Sequence, residues 1–166
     1  FMQRYGVDIH QARRVSELAV HFLNQFPKPK NEDRKDNIHI LSWAAKLHEI
    51  GLSISHNGYH KHSAYIAGNA DMPGFSKNDQ ARLAALLIGH TGKLGKLANN
   101  HGFNDWRMLF CLRLAQVLCR GRNDTHLPKI KVSEHEGSYL VSLSKEWAAE
   151  HPLTEFSLTK EAAEWE

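Results

Sequence analysis

The sequence of 166 residues predicts a mainly α protein, in which a helical bundle is followed by a small α/β appendage with a β-hairpin. Five segments within the first 122 residues have apolar positions at helical spacing. Two later segments, 129–132 and 139–143, alternate between apolar and polar residues, which is typical of strands. From this change of period we predict a helical domain over 1–126 and the appendage over 127–166.

The first two helices are predicted from apolar stripes. Asp8 is placed to cap the first helix, and Pro27 ends its pattern before an expected loop over 28–37. The stripe of this helix consists of Val15, Leu18, Ala19, Phe22 and Phe26. The second helix stops at Gly51 and carries His48 on its apolar face, so we expect the His48 side chain to point inward. The rest of that face consists of Ile38, Leu41, Ala44 and Ala45.

Three further helices are expected before the appendage. A Gly- and His-rich loop over 53–62 leads into a short helix at about 63–70. Ser76 and Asp79 have the spacing of a capping box, which predicts that the next helix begins there. A polar connection over 93–104 precedes a long helix. The apolar positions of this last helix are Trp106, Leu109, Phe110, Leu114, Val117 and Leu118.

The appendage is predicted to begin with a β-hairpin. Residues 133–138 separate the two alternating segments and contain Gly137, which is typical of a turn. A two-stranded ribbon is marginally stable alone, so we expect it to pack on the helical body. Short helices at 147–150 and 159–166 are expected to pack on the hairpin.

Composition excludes several classes of protein. Hydrophobic residues make up 42% of the chain and charged residues 23%, which is ordinary for a globular protein. No apolar run reaches the ~20 residues that a membrane span needs. Cys111 and Cys119 lie on one predicted helix, ~12 Å apart along its axis, which is too far for a disulfide. Free thiols favour a cytoplasmic location, and a start at Phe1 without Met is interpreted as part of a longer protein or as a processed chain.

The charge is distributed unevenly along the chain. Residues 1–128 carry 17 Lys and Arg against 10 Asp and Glu, whereas residues 129–166 carry 4 against 8. A basic body can attract a polyanion, although the same excess occurs on an ordinary solvated surface. Nucleic acid is a weaker candidate partner, because no base-stacking aromatic pattern or nucleic-acid-binding motif is present.

Three local patterns resemble the metal-binding motifs of the HD superfamily of helical phosphohydrolases. Such a domain supplies a His, a His-Asp pair and a final Asp, which hold a divalent ion that activates water. Here Gln11, the pair His48-Glu49, and Gln116 stand at the corresponding positions. Since two ligands are neutral amides, we expect a degenerate HD site in which these residues form a buried polar network. A metal ion held by His48 and Glu49 is the alternative interpretation.

A group of histidines between positions 48 and 62 offers a second candidate metal site. Four of them stand close together in the sequence: His48, His56, His60 and His62. A zinc site that combines these histidines with Glu49 is chemically possible. Their spacing is not a specific zinc signature, however, and no cysteine is nearby.

The same segment could instead contact an anion. His60, Lys61 and His62 precede a predicted helix, whose N-terminus itself favours phosphate. Arg13 and Arg14, at the start of the first helix, could join them if the loop folds over that end. The alternative for the two arginines is a solvated helix face.

Five segments form an ordered set of motifs that covers about the whole chain: Gln11–Val15, Leu47–Ile54, His62–Ile66, Asp71–Phe75 and His151–Thr154. Their order resembles a specific family, the exopolyphosphatase/guanosine-pentaphosphate phosphohydrolase (Ppx/GppA) family. The resemblance implies that this chain is the C-terminal region of such an enzyme, an HD-like domain followed by the α/β appendage. The family signature already contains the His-Glu pair, so Glu49 is not an anomaly of this chain.

The resemblance also implies that catalysis and ligand binding occur in different domains. In this family, a pair of N-terminal actin-like domains performs phosphoanhydride hydrolysis with Mg²⁺ and a catalytic acidic residue. No catalytic residue and no cofactor is therefore expected within these 166 residues. The C-terminal region is implied to support a homodimer and to bind polyphosphate or guanosine pentaphosphate. Carried over to this sequence, the candidate contacts are Arg13, Arg14, His60, Lys61 and His62.

Two other functions stay open at this point. The chain could be an autonomous metal-dependent HD phosphohydrolase with its ion at His48 and Glu49. It could also be a regulatory interaction module without affinity for polyanions. The sequence does not distinguish polyphosphate from guanosine pentaphosphate as the ligand.

Overall fold

The protein is mainly helical, as the sequence predicts. A computed structural model describes residues 2–27, 34–98, 102–122 and 126–166. Within these ranges the only sheet is a two-stranded antiparallel ribbon near the C-terminus. The prediction of a helical body with a small α/β appendage is therefore confirmed.

The helices and strands follow one another in the order that the sequence indicates. The body contains α1 (Ile9–Leu23), α2 (Arg34–Leu47), α3 (Tyr59–Asn69), α4 (Lys77–Gly89), α5 (Gly95–Ala98) and α6 (Trp106–Leu118). The appendage contains β1 (Lys131–His135), β2 (Ser138–Ser142), α7 (Lys145–Glu150) and α8 (Pro152–Glu164). Short 3₁₀ helices lie at Gln3–Tyr5 and Ile50–Ser53. None of the described helices is both long and apolar enough to cross a membrane.

The two predicted helix caps are present. The Asp8 carboxylate accepts a hydrogen bond from the backbone N–H of Gln11 at 3.1 Å, which starts α1. Ser76 and Asp79 form a reciprocal capping box at the start of α4, with distances of 2.9 and 3.0 Å. Local sequence therefore determines where both helices begin.

Several predicted boundaries are wrong. Helix α2 begins at Arg34 within the predicted loop, of which residues 28–33 lie outside the described residues. Helix α3 begins at Tyr59, so His60, Lys61 and His62 form its first turn and do not precede it. The turn at Gly58, with φ +66°, sets this earlier start. The connection after α4 contains the short helix α5, because Leu94 and Leu97 reach the core.

The hairpin turn is shorter than the sequence suggests. The strands extend to His135 and from Ser138, so only Glu136 and Gly137 form the loop. Both loop residues have positive φ, 50° and 79°, as a two-residue turn of type I′ requires. The predicted turn over 133–138 is therefore four residues too long.

The hairpin packs on the helical body, as expected for a two-stranded ribbon. Val132 is buried in the same apolar core as α1 and α6. The ring of Tyr139 stacks on Phe110 of α6 with centroids 4.5 Å apart. Gln25, just after α1, donates to the carbonyl of Ile130 at 3.0 Å and accepts from the N–H of Val132 at 2.9 Å. The division into domains at residue 126 stays a prediction.

Candidate functional site

One polar pocket brings together the four residues of the predicted degenerate site. Gln11 comes from α1, His48 and Glu49 follow the end of α2, and Gln116 comes from α6. We call it the Gln11–His48 pocket, and its volume is about 190 Å³. Its wall consists of Gln11, His48, Glu49, Leu52, His56, Tyr59, Thr91, Gln116, Arg120 and Arg122. Residues carried by three separate helices therefore meet in one pocket.

The two glutamines are hydrogen-bonded both within their own helices and to neighbouring segments. The Gln11 amide donates to the carbonyl of Cys119 at 2.9 Å, and its oxygen accepts from Arg14 at 2.6 Å. The Gln116 amide donates to the carbonyl of His90 at 3.2 Å, and its oxygen accepts from the His90 Nδ1–H at 2.9 Å. Because Gln11 is only 4% exposed, these contacts satisfy an amide that water does not reach.

His48 is oriented by backbone and carboxylate oxygens. Its Nδ1 lies 2.5 Å from the carbonyl of Ala45, and its Nε2 lies 3.4 Å from Glu49 Oε1. The side chain is 4% exposed, as its place on the apolar stripe predicted. The backbone beside it is tied to α3, because the Ser63 hydroxyl donates to the carbonyl of His48 at 2.9 Å and accepts from the N–H of Gly51 at 2.8 Å.

Glu49 is paired with an arginine that the sequence patterns did not identify. Arg122, just beyond α6, donates to the Glu49 carboxylate and, at 3.3 Å, to Asp8. Partial burial acts to raise the pKa of Glu49, but hydrogen bonds from His48 and Arg122 outweigh it and lower the pKa to about 2. The Asp8 pKa is lowered as well, first by the hydrogen bond from the N–H of Gln11.

Arg122 has an unusual backbone conformation for its residue type. Its φ is +53°, in the left-handed region that costs a non-glycine residue of the order of 1 kcal/mol or more. The two ion pairs with Asp8 and Glu49 hold the side chain in place despite that cost. The result is a guanidinium fixed at the mouth of the Gln11–His48 pocket.

The rings of His48 and Tyr59, which line the pocket, pack against the buried ring of His90. The His90 ring lies 5.4 Å from that of His48 and 5.3 Å from that of Tyr59, between ring centroids. Burial lowers the pKa of His90 well below its usual range, and the neighbouring His48 acts in the same direction. His90 is therefore neutral, with Nδ1 as the donor to Gln116 and an unprotonated Nε2 that is buried without a hydrogen-bond partner among the described residues.

The residues present do not fit a metal ion. Across the described ranges, no group of three or more His, Cys, Asp or Glu side chains is arranged to hold one. The oxygens of Gln11 and Gln116 already accept hydrogen bonds, and Glu49 is neutralised by Arg122. The zinc alternative built from His48, Glu49 and the loop histidines has no such cluster among the described residues either.

The predicted phosphate contacts from α1 lie in two different surroundings. Arg14 is half-buried and contacts the pocket through Gln11. Arg13 is exposed and lines a separate depression between α1 and α2, together with Trp43 and Lys46. Only one of the two arginines therefore contacts a described residue of the pocket wall.

The predicted contacts from the histidine segment lie on the first turn of α3. Lys61 is exposed, and His60 and His62 are half-buried. Burial lowers the pKa of His60, and the nearby charges of Lys96 and Lys61 act in the same direction. His60 therefore carries less positive charge than an ordinary histidine, so the lysines provide most of the charge in this segment.

Comparison with known proteins identifies the family. The profile described as Ppx/GppA phosphatase, domain III, matches residues 1–162. The chain belongs to the Ppx/GppA phosphatase family. Within the family it corresponds to domain III, and the resemblance seen in the sequence motifs is confirmed.

Three curated relatives of this domain share one name. A guanosine-5'-triphosphate,3'-diphosphate pyrophosphatase of Pseudoalteromonas translucida is 33% identical over 166 residues, covering 98% of this chain and 33% of the relative. The proteins of that name from Vibrio atlanticus and Pseudoalteromonas atlantica are 33% and 30% identical over 162 and 165 residues, covering 96% of this chain and 33% of each relative. The chain thus spans about a third of the length of these relatives.

Sequence motifs did not identify two arginines of this Ppx/GppA domain. Arg120 and Arg122 line the pocket from the segment just after α6, where helical periodicity ends. Their only signal in the sequence is the short basic run Arg120-Gly121-Arg122, which lies outside the family motifs. Tyr59 was also not identified, because it lies within a segment that was predicted to be a loop.

The Glu49 pair predicts a measurable dependence of stability on pH. An ordinary glutamate has a pKa of 4.5 and Glu49 in the folded protein has a pKa of about 2, so its stabilising effect is complete above about pH 4.5 and is lost as pH falls through 2. Glu49→Gln is expected to lower the free energy of unfolding by about 2 kcal/mol at pH 6, and by much less at pH 3. Urea denaturation at both values measures this difference.

Glu150→Gln, at an exposed position of α7, is the control and should give equal differences at both values. A Glu49→Gln effect that stays constant between pH 6 and pH 3 would show that the ion pair is not the source of the stabilisation.

Proposed function

We propose that this domain binds the polyanionic substrate of a Ppx/GppA-type phosphatase and supports its dimerisation, while hydrolysis takes place elsewhere in the full-length enzyme. The observation that carries the proposal is the ion pair between Glu49 and Arg122. An HD-type site needs this carboxylate for a metal ion, whereas here Arg122 occupies it. The pocket is then the remnant of an HD metal site, and its surroundings attract anions instead of cations.

Basic side chains near the pocket support anion binding. Among the described residues there, Arg14, Arg120 and Arg122 face two carboxylates, Asp8 and Glu49. Guanidinium groups match the geometry of phosphate oxygens and bind them through paired hydrogen bonds. A chain of phosphates that passes this surface therefore meets several positive charges in succession.

The proposed contacts for the extended polyanion are the basic residues at two helix starts. They are Arg13, Arg14, His60, Lys61 and His62. Lys61 and Arg13 are exposed, so a ligand reaches them without displacing other side chains. Because the named relatives are guanosine-5'-triphosphate,3'-diphosphate pyrophosphatases, guanosine pentaphosphate is the proposed substrate of the full-length enzyme, with polyphosphate as the alternative.

Catalysis and dimerisation belong to the proposed full-length enzyme. The relatives are about three times as long as this chain, which leaves room for separate catalytic domains that use Mg²⁺. For dimerisation, α8 presents two exposed apolar side chains, Leu153 at 83% and Phe156 at 67% exposure. Their spacing of three residues places them on one face of the helix, where a second copy is proposed to pack.

Polyanion binding is tested by titrating the domain with polyphosphate and with guanosine pentaphosphate at low and moderate salt. Binding is expected to weaken steeply as salt rises, because the contacts are electrostatic. Arg13→Gln with Lys61→Gln is expected to reduce affinity about fivefold at low salt. Isothermal titration calorimetry measures both effects.

The matched control is Lys77→Gln with Lys131→Gln, which removes two exposed positive charges from other parts of the surface. This variant should bind nearly as tightly as the unmodified domain. Affinity that ignores salt, or that falls equally in both double variants, would contradict specific binding at the two helix starts.

A further inference from the structure

We propose that the Gln11–His48 pocket is itself a binding site for a single phosphate group, held by Arg120 and Arg122 at the mouth and by the Tyr59 hydroxyl on the wall. This inference deepens the proposed function. It rests on that function in one respect, which is that the ligand carries phosphate. The site is distinct from the extended contacts at Arg13 and Lys61, so the two proposals can fail separately.

The volume of the pocket decides the size of the ligand. Pockets that enclose a drug-sized molecule usually have volumes of about 300–1,000 Å³. The Gln11–His48 pocket has about 190 Å³, which is too small for a nucleotide. Water occupies ~30 Å³ per molecule, so a tetrahedral oxyanion with one or two waters fits. An inorganic phosphate, or the terminal phosphate of a longer molecule, is the matching ligand.

The floor of the pocket does not compete for the ligand. Gln11 and Gln116 donate to the carbonyls of Cys119 and His90 in other segments, and the Nδ1 of His48 contacts the carbonyl of Ala45. These residues therefore form a fixed base, and the groups able to bind an anion stand nearer the opening.

The mouth of the pocket provides positively charged donors. A guanidinium has five N–H groups, and the ion pairs of Arg122 with Asp8 and Glu49 use two of them. Arg120 is exposed and donates to the Ser157 hydroxyl at 3.0 Å through one nitrogen. Both side chains thus keep further donors for a ligand in the pocket, and Arg122 is already fixed in position.

The wall adds a neutral donor. Tyr59 lines the pocket, and its phenol lies close enough to Glu49, Arg122 and Arg120 for their charges to affect its ionisation. Burial is the largest effect and raises the pKa of Tyr59, so the hydroxyl keeps its proton at neutral pH. A protonated phenol donates to a phosphate oxygen. Thr91 supplies a second hydroxyl on the same wall.

The net charge favours an anion in spite of the two carboxylates. Arg14, Arg120 and Arg122 contribute three positive charges, against two negative charges from Asp8 and Glu49. The strained backbone of Arg122 fits this role, because residues in the left-handed region cluster at ligand sites where the surroundings hold them in place. The pocket has lost the ligands for a cation and gained the donors for an anion.

The test uses inorganic phosphate as the probe. Isothermal titration of the domain with phosphate, in a chloride buffer of constant ionic strength, is expected to show one saturable site. Arg120→Gln is expected to weaken binding about tenfold and Tyr59→Phe about threefold, since each removes one hydrogen bond, the first of them from a charged donor. The Arg13→Gln, Lys61→Gln double variant should bind phosphate as the unmodified domain does.

The outcomes separate this site from the extended polyanion contacts. If Arg13→Gln with Lys61→Gln weakens polyphosphate binding and leaves phosphate binding unchanged, the two sites are distinct, as proposed. Absence of saturable phosphate binding, or equal affinity in Arg120→Gln, Tyr59→Phe and the unmodified domain, would overturn the phosphate site. Circular dichroism of each variant confirms that a lost affinity does not come from unfolding.

Discussion

Replacing Gly51 with alanine is expected to lower the free energy of unfolding by about 3 kcal/mol, because the added methyl group has no room. A Cβ at this position would lie 2.1 Å from the carbonyl oxygen of Tyr59 and 2.5 Å from the backbone nitrogen of Ser63. Both atoms belong to the backbone of α3, so neither can rotate away. The segment after α2 would have to separate from α3.

The same separation would break the contacts that orient His48. The Ser63 hydroxyl links the N–H of Gly51 to the carbonyl of His48, and a Cβ on Gly51 would lie 2.7 Å from that hydroxyl oxygen. We therefore expect Gly51→Ala to impair phosphate binding in the Gln11–His48 pocket along with stability.

Urea denaturation followed by circular dichroism measures the effect on stability. Gly95→Ala is the control, because a Cβ at Gly95 meets no described atom within 4 Å. That variant should be as stable as the unmodified protein or slightly more stable, since alanine loses less conformational entropy on folding. A Gly51→Ala protein with an unchanged unfolding midpoint would show that α3 tolerates the displacement.

Replacing Arg113 with methionine is expected to destabilise the protein by roughly 3 to 5 kcal/mol, because it breaks a buried ion pair. Arg113 is 5% exposed and donates to the carbonyl of Gly89 at 2.7 Å and to that of Gly92 at 2.9 Å. Its other donors reach Glu161 of α8, at 2.5 and 3.2 Å. One side chain thus joins α6, the end of α4 and the last helix of the appendage.

A double variant separates the ion pair from the packing. Arg113→Met leaves the Glu161 carboxylate without its charged partner, with the Trp165 indole N–H as a remaining donor at 3.0 Å, whereas Arg113→Met with Glu161→Leu removes both charges. The double variant is expected to recover part of the lost stability, since apolar replacement of a whole buried pair is often neutral. Thermal and urea unfolding of the four proteins in this cycle give the coupling energy.

Arg120→Gln is the matched control for position 113. Arg120 lies just beyond α6 and, like Arg113, contacts α8, through Ser157, but it is exposed. Its replacement should cost less than about 1 kcal/mol, because exposed charges contribute little to stability. An Arg113→Met protein that is no less stable than Arg120→Gln would mean that the buried pair does not hold the appendage in place.

The helical part of the fold was predictable because its signals are local. Apolar stripes predicted α1, α2, α4 and α6 in the correct order, and the caps at Asp8 and Ser76 predicted two helix starts. Such signals depend on side chains within one or two turns of each other. Boundaries that depend on a turn, such as the start of α3 at Tyr59 after Gly58, were less accurate.

The candidate site was predictable only in part. Motif positions indicated that Gln11, His48, Glu49 and Gln116 belong together, and the structure places them on one pocket wall. Arg122 was not predictable, because its two partners, Asp8 and Glu49, lie more than 70 positions away in the chain. An ion pair between such distant residues has no periodic pattern that a sequence can show.

By itself, the sequence determined the helical class, the hairpin and the family. Only the tertiary structure decided which side chain pairs with Glu49, namely Arg122. Burial beside His48 would ordinarily raise the pKa of Glu49, and the guanidinium of Arg122 is one of the contacts that reverse this effect. The physical reason is that charge pairing depends on distance in space, which the packing of α1, α2 and α6 sets and which no local pattern encodes.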